Sequence, residues 1–153
     1  MKIIDTTLRE GEQTPGVYFD LSLKKQIVSG LAGIGVDEIE IGISSRENRE
    51  LEVLAEFTRN NHPQQQFSLW CRCLEKDIDF GAYLRPSCLS LSIPVSDLHL
   101  EKKLGKSRKW ALQQLGLSVR HALGGGISRV AVGFEDASRA EPDFVMELAR
   151  VAE

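Results

Sequence analysis

The chain has 153 residues, 42% hydrophobic and 27% charged, with a formal charge of −3 and a pI near 5.7. That length suits one domain with a real core, not two. The mild acidity speaks against nucleic acid or an anionic membrane as the main partner, and no stretch is apolar enough for long enough to span a bilayer.

Taken in order, the residues alternate between strand and helix patterns. Lys2 to Thr6 reads as a short strand; it starts within about two residues of the amino terminus, which leaves no room for a targeting peptide. Leu21 to Leu31 follows, with Leu23, Ile27, Val28 and Leu31 at helical spacing. Asp37 to Ile43 is the second strand. Ser44 and Glu47 then have the spacing of a capping box for a helix carrying Leu51, Leu54 and Phe57. Phe67 to Cys73 is the third strand, with a short helix near Asp77 to Leu84. Cys88 to Ile93 is the fourth. A long helix from about Ser107 to Leu123 stops at Gly124, Gly125 and Gly126. Arg129 to Phe134 is the fifth strand, and the last helix takes Pro142 near its first turn and carries Phe144, Val145, Leu148 and Val151.

Five strand–helix units predict a parallel sheet with right-handed crossovers, as a doubly wound open sheet or as part of a (β/α)8 TIM barrel. The alternation favours the barrel. Ile39, Ile41 and Ile43 share one face of the second strand, with Glu40 and Gly42 on the other. Phe67, Leu69, Cys71 and Cys73 oppose Ser68, Trp70 and Arg72; Leu89, Leu91 and Ile93 oppose Ser90 and Ser92. Val130, Val132 and Phe134 oppose Ala131, Gly133 and Glu135. An open sheet covered on both sides wants both faces apolar. A barrel gathers polar groups inside its upper rim, and Arg9, Glu40, Arg72 and Glu135 fall at or just beyond strand ends, where barrel enzymes keep their chemistry. The alternative is a half-exposed sheet laced with ion pairs. A whole barrel takes about 250 residues, so residues 1–153 are expected to be the amino-terminal part of one.

The three cysteines, Cys71, Cys73 and Cys88, are an odd set without a secretory segment, which points to a reducing compartment and a cytoplasmic protein. The basic run Lys102, Lys103, Lys106, Arg108 and Lys109 reads as a solvated helix face, with phosphate docking as the other reading.

The stretch after the first strand, Asp5 to Gln13, carries the most chemistry. Arg9 offers a rigid fork of donors for an enolate or carboxylate. Glu10 is a hard oxygen ligand for a divalent cation, Gly11 permits a turn, and Gln13 can hydrogen-bond a substrate. Asp5, on the same side of the strand as Arg9, is placed to orient it. From spacing alone, a surface loop explains the segment equally well.

This segment resembles the signature of the metal-dependent barrel family that includes homocitrate synthase, isopropylmalate synthase, citramalate synthase and hydroxymethylglutaryl-CoA lyase. The resemblance implies that Arg9 stabilises the enolate and the oxo acid, that Glu10 ligates the metal (Zn, Mn or Mg), and that Gln13 faces the substrate. Glu40-Ile41-Gly42, Trp70-Cys71-Arg72, Leu91 to Asp97 and Gly133 to Arg139 look like the nitrogenase-associated homocitrate synthases. That likeness implies Arg72 as a carboxylate partner for 2-oxoglutarate and Glu40, Ser92 and Glu135 as pocket residues. It further implies acetyl-CoA as co-substrate and a homo-oligomer or a complementing chain as partner. Isopropylmalate or citramalate synthesis is the alternative activity, and a non-catalytic chain that needs a partner to complete the barrel is another. Two departures stand out. Leu74 occupies the position where lysine-pathway relatives carry a histidine. The family's His-x-His metal pair is absent, since His62, His99 and His121 are isolated.

Overall fold

Gly35 ends the first helix because the backbone there turns left-handed (φ 79°), a conformation that costs glycine nothing. Its other end is set by Asp20, whose carboxylate accepts a hydrogen bond from the Leu23 amide at 2.8 Å. Local rules of this kind recur along the chain in the computed structural model, which describes all of residues 1–153. The elements are β1 (Ile4–Asp5), α1 (Leu21–Ile34), β2 (Glu38–Ile43), α2 (Arg49–Asn61), β3 (Gln66–Arg72) and α3 (Glu75–Tyr83). They continue with β4 (Cys88–Pro94), α4 (Arg108–Gly124), β5 (Val130–Glu135) and α5 (Pro142–Ala152). Short 3-10 turns occupy Gly11–Gln13 and Ala137–Arg139, and a π-helical turn spans Leu98–Leu104.

The five strands are all parallel and lie in the order β1-β2-β3-β4-β5. Parallel neighbours joined through a helix cross right-handed. A sheet that always advances in one direction therefore sets every helix on the same face. No strand order reverses, so the doubly wound alternative falls and the sheet is a curled half-barrel. Its outer face is apolar: Ile39, Leu69, Cys71, Leu89 and Leu91 are essentially inaccessible and pack against Val28, Leu54, Ile78, Ala111, Leu115 and Leu148. Burying each large side chain contributes about 1.5–3 kcal/mol.

The inner face is polar at both ends. At the floor, Glu38 is 1% exposed and pairs with Lys2 from before β1 (3.0 Å) and with Arg129 from before β5. A flat sheet would hold the backbones of β2 and β5 about 14 Å apart; the Glu38–Arg129 contact spans them because the sheet curls. At the upper rim, β2 carries an irregularity between Glu40 and Ile43, and Gly42 within it takes φ 154°. A bulge beside a site re-aims the side chains around it.

Three expectations need correction. Ser44 does not cap α2: it is fully buried at the exit of β2, its amide extends the ladder to the Trp70 carbonyl (2.7 Å), and its hydroxyl donates to the Asp77 carbonyl (2.7 Å). α2 starts later, at Arg49, with no side-chain cap. The basic run is not one helix face: Lys102 and Lys103 lie on the π-helical turn, Lys106 in the link, and Arg108 and Lys109 open α4. The first strand is two residues long instead of the five of Lys2 to Thr6. No helix is long and apolar enough to cross a membrane.

Candidate functional site

Polar side chains gather where the strands end. Leu8, 1% exposed, anchors the loop after β1 and sends Arg9 over the rim. The Arg9 Nε donates to Glu40 Oε2 at 2.6 Å, and a terminal nitrogen of the same guanidinium contacts Glu10. Glu40 is buried on β2 (side chain 7% exposed), whereas Glu10 is 58% exposed. The buried carboxylate thus orients Arg9 and the exposed one stays accessible. Asp5 does not do this job: β1 ends at Asp5, and its carboxylate turns onto Thr7, accepting from the amide (2.9 Å) and hydroxyl (3.2 Å). The side chain that orients Arg9 comes from the neighbouring strand, 31 residues on.

A second group lies farther around the rim, at the ends of β3, β4 and β5. Here a cavity of about 400 Å³ is lined by Trp70, Arg72, Ser92, Lys103, Trp110 and Glu135, among others. Arg72 Nε donates to Asp77 Oδ2 at 2.6 Å. Asp77 belongs to the first turn of α3 and is 2% exposed. Its hydrogen bond raises the Arg72 pKa, so the guanidinium is a permanent cation whose terminal nitrogens make no hydrogen bond within the chain. Ser92 donates to Glu135 Oε1 at 2.8 Å, holding that carboxylate toward the cavity. A guanidinium, a carboxylate and two indoles suit a small ligand with a carboxylate at one end and an apolar wall along its side. Trp70 links the two groups: its ring lines this cavity, and the Arg9 guanidinium lies 6.0 Å from its centroid.

Gln13 sits apart from Arg72, Ser92 and Glu135. It lines a smaller cavity of about 110 Å³ with Arg9, Glu12, Lys24, Asn48 and Glu50, between the loop and the helices α1 and α2. The structure therefore joins Arg9, Glu10 and Glu40 directly, joins Ser92 to Glu135 beside Arg72, and leaves Gln13 connected only through Arg9. Asp77, Trp70 and Lys24 were not singled out as site residues. Asp77 carried a readable signal, an acid five positions after a strand-end arginine across a strand–helix turn.

For a divalent cation, Glu10 fits as one hard oxygen donor. No group of three or more His, Cys, Asp or Glu side chains converges in the chain, so these residues do not complete a metal cage. The histidines are engaged elsewhere: His62 meets Ser29 (2.9 Å) and His121 meets Asp79 (2.7 Å). His99 Nε2 lies 3.8 Å from Asp136, with Nδ1 buried and without a partner. The Asp136 carboxyl is held below the usual carboxylate range by hydrogen bonds from Arg139 and then Ser96. The cysteines are all free and buried. Burial is the main cause that pushes the Cys73 thiol up to about 11, and it raises Cys71 and Cys88 as well.

The HMGL-like family pattern matches residues 1–153, the entire chain. Homocitrate synthase of Frankia alni is 44% identical over 149 residues, covering 97% of this chain and 42% of that protein. 2-Isopropylmalate synthase 2 of Caldanaerobacter subterraneus subsp. tengcongensis is 38% identical over 150 residues, covering 98% of this chain and 38% of that one. In fold, the crystal structure of HMG-CoA lyase from Bacillus subtilis superposes with a TM-score of 0.77 at 16% identity, over 98% of this chain and 53% of that one. The chain thus spans about two fifths of the length of the relatives it matches in sequence. With five parallel strands in barrel order, Arg9 and Glu10 at the first strand's mouth and a match from end to end, this chain belongs to the HMGL-like family.

Proposed function

We propose that residues 1–153 are the amino-terminal part of a catalytic barrel that condenses acetyl-CoA with 2-oxoglutarate, giving homocitrate and CoA. The observation that carries this is Arg9, fixed by buried Glu40 at the mouth of the first two strands with Glu10 beside it. In the reaction, the methyl carbon of acetyl-CoA loses a proton and attacks the keto carbon of the oxo acid. Water then cleaves the thioester, releasing homocitrate and the CoA thiol. Negative charge builds first on the thioester oxygen and then on the former keto oxygen. A preorganised guanidinium meets that charge without having to reorient, which is where enzyme electrostatics contributes most. Glu40 performs the orienting, because a buried carboxylate bonded at Nε fixes the plane of the fork, one of whose terminal nitrogens meets exposed Glu10.

Arg72, with terminal nitrogens free in the 400 Å³ cavity, would receive the distal carboxylate, with Ser92 and Glu135 on the same wall and Glu40 behind Arg9. Glu10 is the donor this chain would contribute to a divalent cation, whose role would be to polarise the keto carbonyl. Ligands from outside these residues are needed to complete that site. The 44% identity to a homocitrate synthase supports 2-oxoglutarate as the acceptor. The 38% identity to an isopropylmalate synthase supports a second reading, the same condensation on 2-oxoisovalerate.

The test is thiol release by the full-length protein with acetyl-CoA and each of 2-oxoglutarate, 2-oxoisovalerate and pyruvate. A clear preference for 2-oxoglutarate is expected. Preference for 2-oxoisovalerate would replace the first reading with the second, and release with none of the three would end both.

A further inference from the structure

Lys24 lies near the start of α1 and is 9% exposed. Lysine is seldom buried that far unless it is paired. Its ammonium sits 3.0 Å from Glu12 Oε1 and 3.1 Å from Glu50 Oε2. Burial by itself would lower its pKa, but the hydrogen bonds to Glu12 and Glu50 outweigh that and raise it, so the cation persists across the physiological range. Glu12 belongs to the 3-10 turn Gly11–Gln13, and Glu50 to the first turn of α2.

The turn has little else to hold it. It buries no side chain and has no side-chain cap. Its backbone hydrogen bonds are local: the Arg9, Glu10 and Gly11 amides share the Thr6 carbonyl, Gln13 bonds Glu10, and Thr14 bonds Gly11. Three side-chain tethers tie this loop to the body: buried Leu8, Arg9 to Glu40, and Glu12 to Lys24. Of the two polar tethers, the last is the one that involves no group placed in the reaction. Behind it lies the cavity of about 110 Å³ lined by Arg9, Gln13 and Asn48, which gives the loop room to shift if the tether is cut.

We propose that Lys24 is a positioning residue: by holding Glu12 and Glu50 together it fixes the loop that presents Arg9 and Glu10 at the barrel mouth. This rests on the condensing-enzyme reading above. The tethers close a circuit from β2 through Glu40 and Arg9 along the loop to Glu12, then through Lys24 to Glu50 on α2. A displacement of the reacting group by about 1 Å can cost on the order of 10²-fold in rate.

The experiment compares full-length wild type with Lys24→Met and Lys24→Arg, reading kcat and KM by thiol release and the amide exchange of residues 9–14. Lys24→Met should lower kcat by ~10- to 100-fold, with KM for the oxo acid moving less than about threefold. It should also raise exchange in the loop while β3 and β4 keep their protection. Lys24→Arg, which retains a cation able to reach both carboxylates, should recover most of both. If Lys24→Met does not fold, Glu12→Ala cuts the same link while leaving Lys24 paired with Glu50, and should reproduce the pattern. A variant with lower thermal stability but unchanged kcat and unchanged loop exchange would overturn the proposal. If the wild type releases no thiol with any oxo acid, the condensation reading fails, and the exchange comparison still decides whether Lys24 holds the loop.

Discussion

The ion cluster at the barrel floor predicts an order of mutational damage opposite to what burial alone suggests. Glu38 is the buried member, 1% exposed, while its partners Arg129 and Lys2 have side chains 40% and 43% exposed. Glu38→Gln removes the buried charge itself. It leaves two cations that solvent reaches and an amide of the same size that still accepts a hydrogen bond, so the cost should be about 1 kcal/mol or less. Arg129→Met removes an exposed group but leaves an ionised carboxylate in the floor with one remaining partner, Lys2 at 3.0 Å. Removing one side of a buried pair typically costs 3–5 kcal/mol; with Lys2 retained, about 2–3 kcal/mol is expected. Urea unfolding followed by tryptophan fluorescence would read the two midpoints. Arg129→Met should lower its midpoint by about two to three times as much as Glu38→Gln, at similar slope. Equal shifts, or a larger loss in Glu38→Gln, would show that the cluster does not work through stranded buried charge.

Arg9→Ala in the full-length protein should lower turnover by about 10²–10³, the usual effect of losing one oxyanion donor; steady-state thiol release checks this, and near-normal turnover removes Arg9 from the chemistry. Gly42→Ala should destabilise by about 2–4 kcal/mol, since a β-carbon there would meet buried Leu51 Cδ1 at 3.0 Å on a backbone at φ 154°; a thermal melt indistinguishable from wild type would refute that. Cys73, pushed up to about 11, should hold on the order of 10²-fold less thiolate at pH 8 than an unperturbed cysteine. A thiol reagent should therefore leave it untouched in the native protein and modify it promptly in denaturant, and fast native labelling would contradict its burial.

The strands were readable because their alternation separates two different environments. Ile39 and Ile41, or Leu89 and Leu91, pack on helices, while Glu40 and Ser92 face the concave side. The expected bounds of β2, β3 and β4 hold to within one residue at each end. The first strand was read too long because its ladder to β2 runs only through Ile4 and Asp5, and the Asp5 carboxylate then turns the chain by accepting from the Thr7 amide. The capping box failed because the Ser44 spacing said nothing of the Asp77 carbonyl 33 residues away. The π-helical turn left no clear period: of Leu98, Leu100 and Leu104, only Leu100 is buried. For the candidate site, residue type and strand-end location were legible, but pairings were not. Glu40 as the partner of Arg9, Asp77 as that of Arg72, and Lys24 between two glutamates depend on how neighbouring units meet in space.

The consecutive strand order also shapes how the chain acquires its structure. Every strand pairs with the strand before it in sequence, so each unit can dock on an edge that already exists, and loops close over one helix at a time. Such local closure keeps the entropy cost of each step small and favours rapid folding. The Glu38–Arg129 contact, between residues 91 apart, is the longest-range exception, beyond the Lys2–Gln66 bond that skips one strand. It can form only after β3, β4 and β5 have been laid down and the sheet has curled. Arg129 should therefore show a φ-value near zero in folding kinetics: its removal would speed unfolding and leave the folding rate almost unchanged. The floor pair would then act as a latch on the finished arc, setting how long it stays closed and not how fast it forms.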